Sequence, residues 1–203
     1  HTAHPMFTLF KILWVRDHRP DVWAKARHFF CFEELLHTRL GLEPAISYPL
    51  AGRTMLFNVR THRWDPDILA AVGLDAQRLA RPLPAGAVVG RLGPAAARQI
   101  NVAPGAVVTA GGHDQPCGAL GAGVTAPGRA MYGMGTVECI CPAFPVAVFG
   151  EGLFAGNLCT YDFTAGGMYT TVAFSLTGGN LLRWYRDVWG TEEQRQAASA
   201  EGE

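Results

Sequence analysis

The run Gly111-Gly112-His113-Asp114-Gln115-Pro116-Cys117-Gly118-Ala119-Leu120-Gly121-Ala122-Gly123 constrains this chain more than any other stretch. It follows Ala106-Val107-Val108-Thr109-Ala110, an apolar run after a Pro-Gly turn, which predicts a buried strand. Cys117, Ala119, Leu120 and Ala122 then continue at helical spacing. An acid thus stands where a strand hands over to a helix. In open α/β folds that junction faces the crevice where ligands bind. The two glycines before Asp114 let a ligand or another backbone come close. Asp at such a junction also serves as a helix cap, accepting from free backbone N–H groups. The residues by themselves are compatible with either role.

A chain of 203 residues that is 49% hydrophobic can bury a substantial core, in one large or two small domains. Lys+Arg and Asp+Glu both number 17, so no basic excess advertises a nucleic-acid surface or an anionic membrane. No apolar run reaches the length of a membrane span, and the first residues do not read as a signal peptide. The expectation is a cytoplasmic protein. Its five cysteines include no Cys-x-x-Cys pair. Cys139 and Cys141 are two apart on a predicted strand and share a face, and no histidine follows His113 to complete a zinc site. Reduced, mostly buried thiols are expected, and no resident metal.

The first half reads as α-rich. Apolar residues at 6, 9, 10, 13 and 14 predict a helix over 6–17. Asp21 is placed to cap a longer helix through about Arg39, with Val22, Ala26, Phe29, Phe30, Glu33 and Leu36 in helical register and Gly41 as its stop. Residues 44–62 are turn-rich with short strands. Asp65-Pro66 opens a short helix that Gly73 ends. Leu83-Pro84-Ala85-Gly86 is a loop, and Pro94 starts another short helix. Near 125 the pattern changes. Residues 125–141 predict two strands around a glycine-rich turn, and 157–163 with 168–174 predict a hairpin across Ala165-Gly166-Gly167. Residues 178–189 predict a helix, and Thr191-Glu192-Glu193-Gln194 a capping box for a last one that runs towards Glu203. A domain boundary is expected at Thr125-Ala126-Pro127-Gly128, giving domains 1–124 and 125–203.

Other residues suit phosphate chemistry. Gly133, Gly135 and Thr136 form a glycine-rich turn whose backbone and hydroxyl can meet phosphate oxygens. An ordinary hairpin turn has the same composition. Gly178 and Gly179 open a helix whose free N–H groups could meet an anion. No G-x-x-x-x-G-K-[ST] occurs, which excludes a P-loop, and no G-x-G-x-x-G follows the strand before Gly111.

Taken in order, these segments resemble the FGGY family of carbohydrate kinases. Gly112 to Gly121 is similar to the family's G-D-x-x-x-x-x-x-G segment around its catalytic aspartate. Gly133-Met134-Gly135-Thr136-Val137 is similar to the G-T-[SV] loop that follows. Phe10-Lys11-Ile12-Leu13-Trp14 with Pro20 resembles its K-L-x-W…P helix. Arg53-Thr54-Met55-Leu56-Phe57 with Trp64 resembles its A-S-x-T-x-L-x-D…W hairpin. Thr177-Gly178-Gly179 through Trp184 resembles its G-G-x-x-x-W helix start.

The resemblance implies an α/β, actin-like ATPase or ribonuclease-H-like fold with parts of two domains, the first for sugar and the second for nucleotide. It implies Asp114 as catalytic base, and Met6, Phe7, His113 and Gln115 on the sugar side. Gly135, Thr136, Gly178 and Gly179 fall on the nucleotide side, with ATP and Mg²⁺ as cofactors. The partners implied are a small sugar and ATP, without nucleic acid or membrane, and the parent protein is allowed a homodimer. The reaction implied is phosphorylation of a ketopentose or 6-deoxyketose such as xylulose or fuculose. The alternative is a non-catalytic sugar- or nucleotide-binding module on the same fold. Many members carry Gly or another small residue where His113 stands. The family's opening D-x-G-T-x-x-x-[KR] phosphate hairpin has no match before Asp114. The expectation is therefore the centre of a longer kinase, inactive or nearly so as these residues alone.

Overall fold

The computed structural model describes residues 3–200; the expected continuation of the last helix to Glu203 lies outside them. The first helix, α1 (Thr8–His18), buries Leu9 and Ile12 against Leu56, Leu69 and Leu74. Its stripe is rotated from the expected one: Trp14 is exposed and stacks on His18 with centroids 5.0 Å apart. The long helix expected from Asp21 to Arg39 is two helices, α2 (Pro20–Lys25) and α3 (Phe32–Arg39). The cause of the break is tertiary. Arg78 Nη2 donates to the carbonyls of Trp23 (2.6 Å) and Ala26 (2.9 Å), while Phe29 N donates to the Arg78 carbonyl at 2.8 Å. A distant guanidinium thus caps α2 and holds the next residues extended. Gly41 takes the left-handed conformation after α3 at φ 75°, as a helix stop requires.

Strand β1 (Ala45–Ser47) is fully buried and runs into α4 (Tyr48–Gly52). A small hairpin follows, β2 (Phe57–Asn58) with β3 (Arg63–Trp64). Helix α5 (Pro66–Val72) has the expected ends: Asp65 accepts from Asp67 N and Ile68 N, and Gly73 is left-handed. Strand β4 (Arg81–Leu83) pairs parallel with β1, then β5 (Val88–Arg91) precedes α6 (Pro94–Gln99). Strand β6 (Val107–Thr109) pairs antiparallel with β5 alone. It was expected to be buried, but Val107 is 47% exposed, because no second strand flanks it among the described residues. The predicted helix after the glycines is α7 (Asp114–Gly121).

Past residue 125 the β-rich pattern holds. Strands β7 (Ala130–Met134) and β8 (Glu138–Phe144) form a hairpin. A helix the sequence pattern did not announce, α8 (Glu151–Ala155), precedes β9 (Tyr161–Asp162), β10 (Tyr169–Thr170) and β11 (Ala173–Ser175). These make one antiparallel sheet in the order β11-β8-β10-β9, with β7 on β8. Cys139 and Cys141 are both buried on one face of β8. Helices α9 (Gly178–Trp189) and α10 (Thr191–Ala200) end the described chain. The expected capping box is not made through Gln194, whose amide donates instead to the Arg186 carbonyl at 2.6 Å.

The core is shared between the halves. Tyr161 is wholly buried among Ile46, Ala51, Phe57, Val59 and Ala80. A methyl on Gly52 would lie 2.6 Å from Tyr161 Cβ, so this glycine sets the approach of α4 to β9. His62 Nε2 meets Asp162 Oδ1 at 2.8 Å while stacking on Tyr48, centroids 4.4 Å apart. The second cluster joins Ala119 and Val124 to Cys141, Ala143, Phe163 and Met168. No helix among the described residues is long and apolar enough to cross a membrane.

Candidate active site

Asp114 is the first residue of α7, and its side chain is 79% exposed. Its Oδ1 accepts from Gln115 N at 2.7 Å. The residue in the cap position is His113, and no side chain caps α7. The carboxylate is therefore not consumed as a helix cap. His113 Nδ1 lies 3.2 Å from Asp114 Oδ1, off the direction of a hydrogen bond, and is buried without another partner. Burial holds the His113 pKa below the ordinary imidazole value; Asp114 opposes the shift and the Arg53 charge adds to it. A neutral imidazole thus stands beside an exposed carboxylate.

The loop that presents them is anchored by residues the motif did not single out. Glu33 Oε1 accepts from Gly111 N at 2.6 Å and its Oε2 accepts from Ser47 N at 2.7 Å. One carboxylate of α3 therefore ties the end of β1 to the start of the Gly-Gly-His-Asp loop. Gly112 lies where a methyl would meet Thr164 Oγ1 at 2.9 Å and Cys117 Sγ at 3.0 Å, so the β9–β10 turn closes against it. Tyr161 receives the His113 ring edge-on at 5.8 Å. Arg53 lies over the rings of Phe7 (4.8 Å) and Tyr161 (5.3 Å) and reaches the sulfurs of Met6 and Cys159. Sequence pattern could not find these contacts, since Arg53 and Cys159 are 106 residues apart. Of the predicted sugar-side residues, Met6 is exposed, Phe7 buried, and His113 and Gln115 half-buried.

On the nucleotide side, Gly135 and Thr136 occupy the exposed β7–β8 turn. Gly178 is the first residue of α9, where a Cβ would stand 2.5 Å from the Gly135 carbonyl. Gly179 N–H was expected to be free; it donates to that carbonyl at 2.7 Å. The tight seating of α9 on the turn uses the donor. The two glycine sites are thereby one site, with the start of a 12-residue helix against an exposed Gly-Thr turn. Burial, and then Glu138 on the neighbouring strand, raise the Tyr132 hydroxyl pKa, so Glu138 acts across the hairpin. Helix α7 packs on β7 and β8, and the Asp114 charge, after burial, raises the Cys139 thiol pKa. A cleft of about 430 Å³ lined by Asn58, Arg60, Phe149 and Phe154 includes none of the predicted site residues.

Among solved structures, the xylulose kinase from Rhodospirillum rubrum superposes with a TM-score of 0.81 at 20% identity, over 96% of this chain and 39% of that one. The fold class is thus the actin-like, ribonuclease-H-like α/β architecture. Residues 1–121 match the FGGY family of carbohydrate kinases, N-terminal domain, and the chain belongs to that family. It is 28% identical over 184 residues to an autoinducer-2 kinase of Yersinia enterocolitica, covering 91% of this chain and 34% of that protein. It is 27% identical over 187 residues to the xylulose kinase of Bacillus subtilis, covering 92% of this chain and 37% of that protein. The chain spans about a third of the length of these curated relatives.

Proposed function

We propose that the whole protein transfers a phosphoryl group from ATP to a hydroxyl of a sugar, a ketopentose or 6-deoxyketose such as xylulose or fuculose. The observation that carries this reading is the exposed Asp114 carboxylate at the strand-to-helix junction, on a helix seated against the β7–β8 hairpin. In phosphoryl transfer the protein's work is positioning, electrostatics and acceptance of one proton. Asp114 is the base. Its Oδ1 is fixed by Gln115 N, which leaves Oδ2 to take the proton of the acceptor hydroxyl. Burial disfavours a charged His113, so the exposed Asp114 carboxylate is left open to the acceptor and is not locked in an ion pair. Met6, Phe7, His113 and Gln115 form the sugar side.

The nucleotide phosphates fit the exposed turn at Gly135 and Thr136; Gly178 and Gly179 back that turn by packing on it, the Gly179 N–H already donating to the Gly135 carbonyl. Thr136 Oγ1 is the side-chain donor there. Bound with the nucleotide beside the Gly135–Thr136 turn, Mg²⁺ would supply charge neutralisation on the transferred group. Domains 1–124 and 125–203 are proposed as the two lobes, with residues 157–172 folding back against the first. Closure of the lobes excludes water, the competing acceptor. A cytoplasmic location fits this chemistry, since ATP is the donor.

The test is ADP release by the full-length protein with a panel of ketoses and polyols. Turnover with a ketose, abolished by omission of Mg²⁺, supports the reading. Sugar or nucleotide binding without turnover would make the protein a binding module.

A further inference from the structure

Among the described residues, the Arg53 guanidinium is held in place without an oxygen partner. Its Nη1 donates to Cys159 Sγ at 3.2 Å and its Nη2 to Met6 Sδ at 3.0 Å. Sulfur is a weak acceptor, poorly matched to a permanent cation. No carboxylate pairs with Arg53 among the described residues. Its position is nevertheless fixed by the Phe7 and Tyr161 rings beneath it. A chain of contacts leads from it to the base: Arg53 to the Tyr161 ring at 5.3 Å, that ring to His113 at 5.8 Å, and His113 Nδ1 to Asp114 Oδ1 at 3.2 Å. The end that touches Met6 is exposed. A thioether on a flexible, exposed side chain is easily displaced by an incoming oxygen.

We propose that Arg53 is a specificity-determining residue of the acceptor site. It donates to an oxygen that only accepts, the carbonyl of a ketose or the carboxylate of a sugar acid, near the hydroxyl that Asp114 deprotonates. A guanidinium is preorganised for such an oxygen and gains most from the strongest acceptor, so the site prefers oxo and carboxylate sugars to alditols. Stacking on two rings removes the rotamer freedom that an arginine would otherwise lose on binding. The inference rests on the kinase reading only in taking Asp114 as the base.

Calorimetry without nucleotide tests it on the full-length protein, with D-xylulose against xylitol and D-gluconate against D-glucitol. The wild type is expected to bind at least one oxygen-accepting sugar about 10- to 100-fold more tightly than its alditol, the scale of a charged hydrogen bond. Arg53→Met keeps the packing on Phe7 and Tyr161 and should bring that ratio towards one. Arg53→Lys should retain part of it. Thermal melts confirm that each variant is folded. A wild-type ratio near one for both pairs, no binding of any of the four, or a ratio unchanged in Arg53→Met overturns the proposal. Failure of the kinase reading is separable: the binding ratio would persist while ADP release stayed absent.

Discussion

Asp114 is the residue on which the proposed chemistry turns, and its surroundings give it one anchored oxygen and one for the acceptor. Asp114→Asn should lower kcat of the full-length protein by at least ~10²-fold, the scale of a positioned general base, while sugar affinity changes little. Near-normal turnover in that variant would return the residue to a helix-start role. Thr136→Val removes a hydroxyl from the exposed turn and leaves its backbone in place. It should weaken ATP more than sugar in paired binding titrations; the reverse order would assign the turn to the wrong substrate. Asp114 and Thr136 can be nominated from sequence because glycine-rich junctions are local features. Arg53, Glu33 and Tyr161 were not, since their contacts to the site come from residues far along the chain.

Among the elements, α4 and β9 show how two distant segments are fitted together. Gly52 has no room for a methyl, with Tyr161 Cβ 2.6 Å from where it would stand. Gly52→Ala should cost about 1–3 kcal/mol by overpacking, read as a lower urea midpoint at unchanged slope. An unchanged midpoint would mean that α4 and β9 can part without loss. The neighbouring α2–α3 break teaches the same lesson. Residues 20–39 have helical spacing throughout, yet the Arg78 guanidinium takes the carbonyls of Trp23 and Ala26 and the helix ends. Where the determining groups are adjacent, as with Asp65 and Gly73 around α5, pattern and structure agree.

Across the whole molecule, stability should fall as the solution turns from mildly acidic to neutral. Glu34 is 2% exposed, its Oε2 lacks a partner, and burial raises its pKa from 4.5 to about 7. Between those values the folded state holds a proton that the unfolded state has lost. Stability therefore decreases as pH rises through that window, by about 3 kcal/mol at most. Burial also raises Asp162, against the opposing His62, which adds to the same trend, while the burial-lowered His113 works against it below about pH 6.5. Glu34→Gln should flatten the pH dependence of Tm between about pH 4.5 and 7 and raise Tm at pH 8. A parallel slope in the variant would place the proton elsewhere.

The sequence by itself determined the family, the fold class and the position of the candidate base. These follow from residues a few positions apart: glycines before an acid, proline and aspartate at helix starts, alternation along a hairpin. Tertiary structure alone decided that β6 lies half-exposed, that α2 stops short, and that the Gly179 N–H is spent on the Gly135 carbonyl. It alone brought Arg53, Tyr161 and His113 into line with Asp114. The physical reason is range. Local propensity acts through backbone sterics and near-neighbour hydrogen bonds, whereas burial and charge act between groups that only the folded chain makes neighbours.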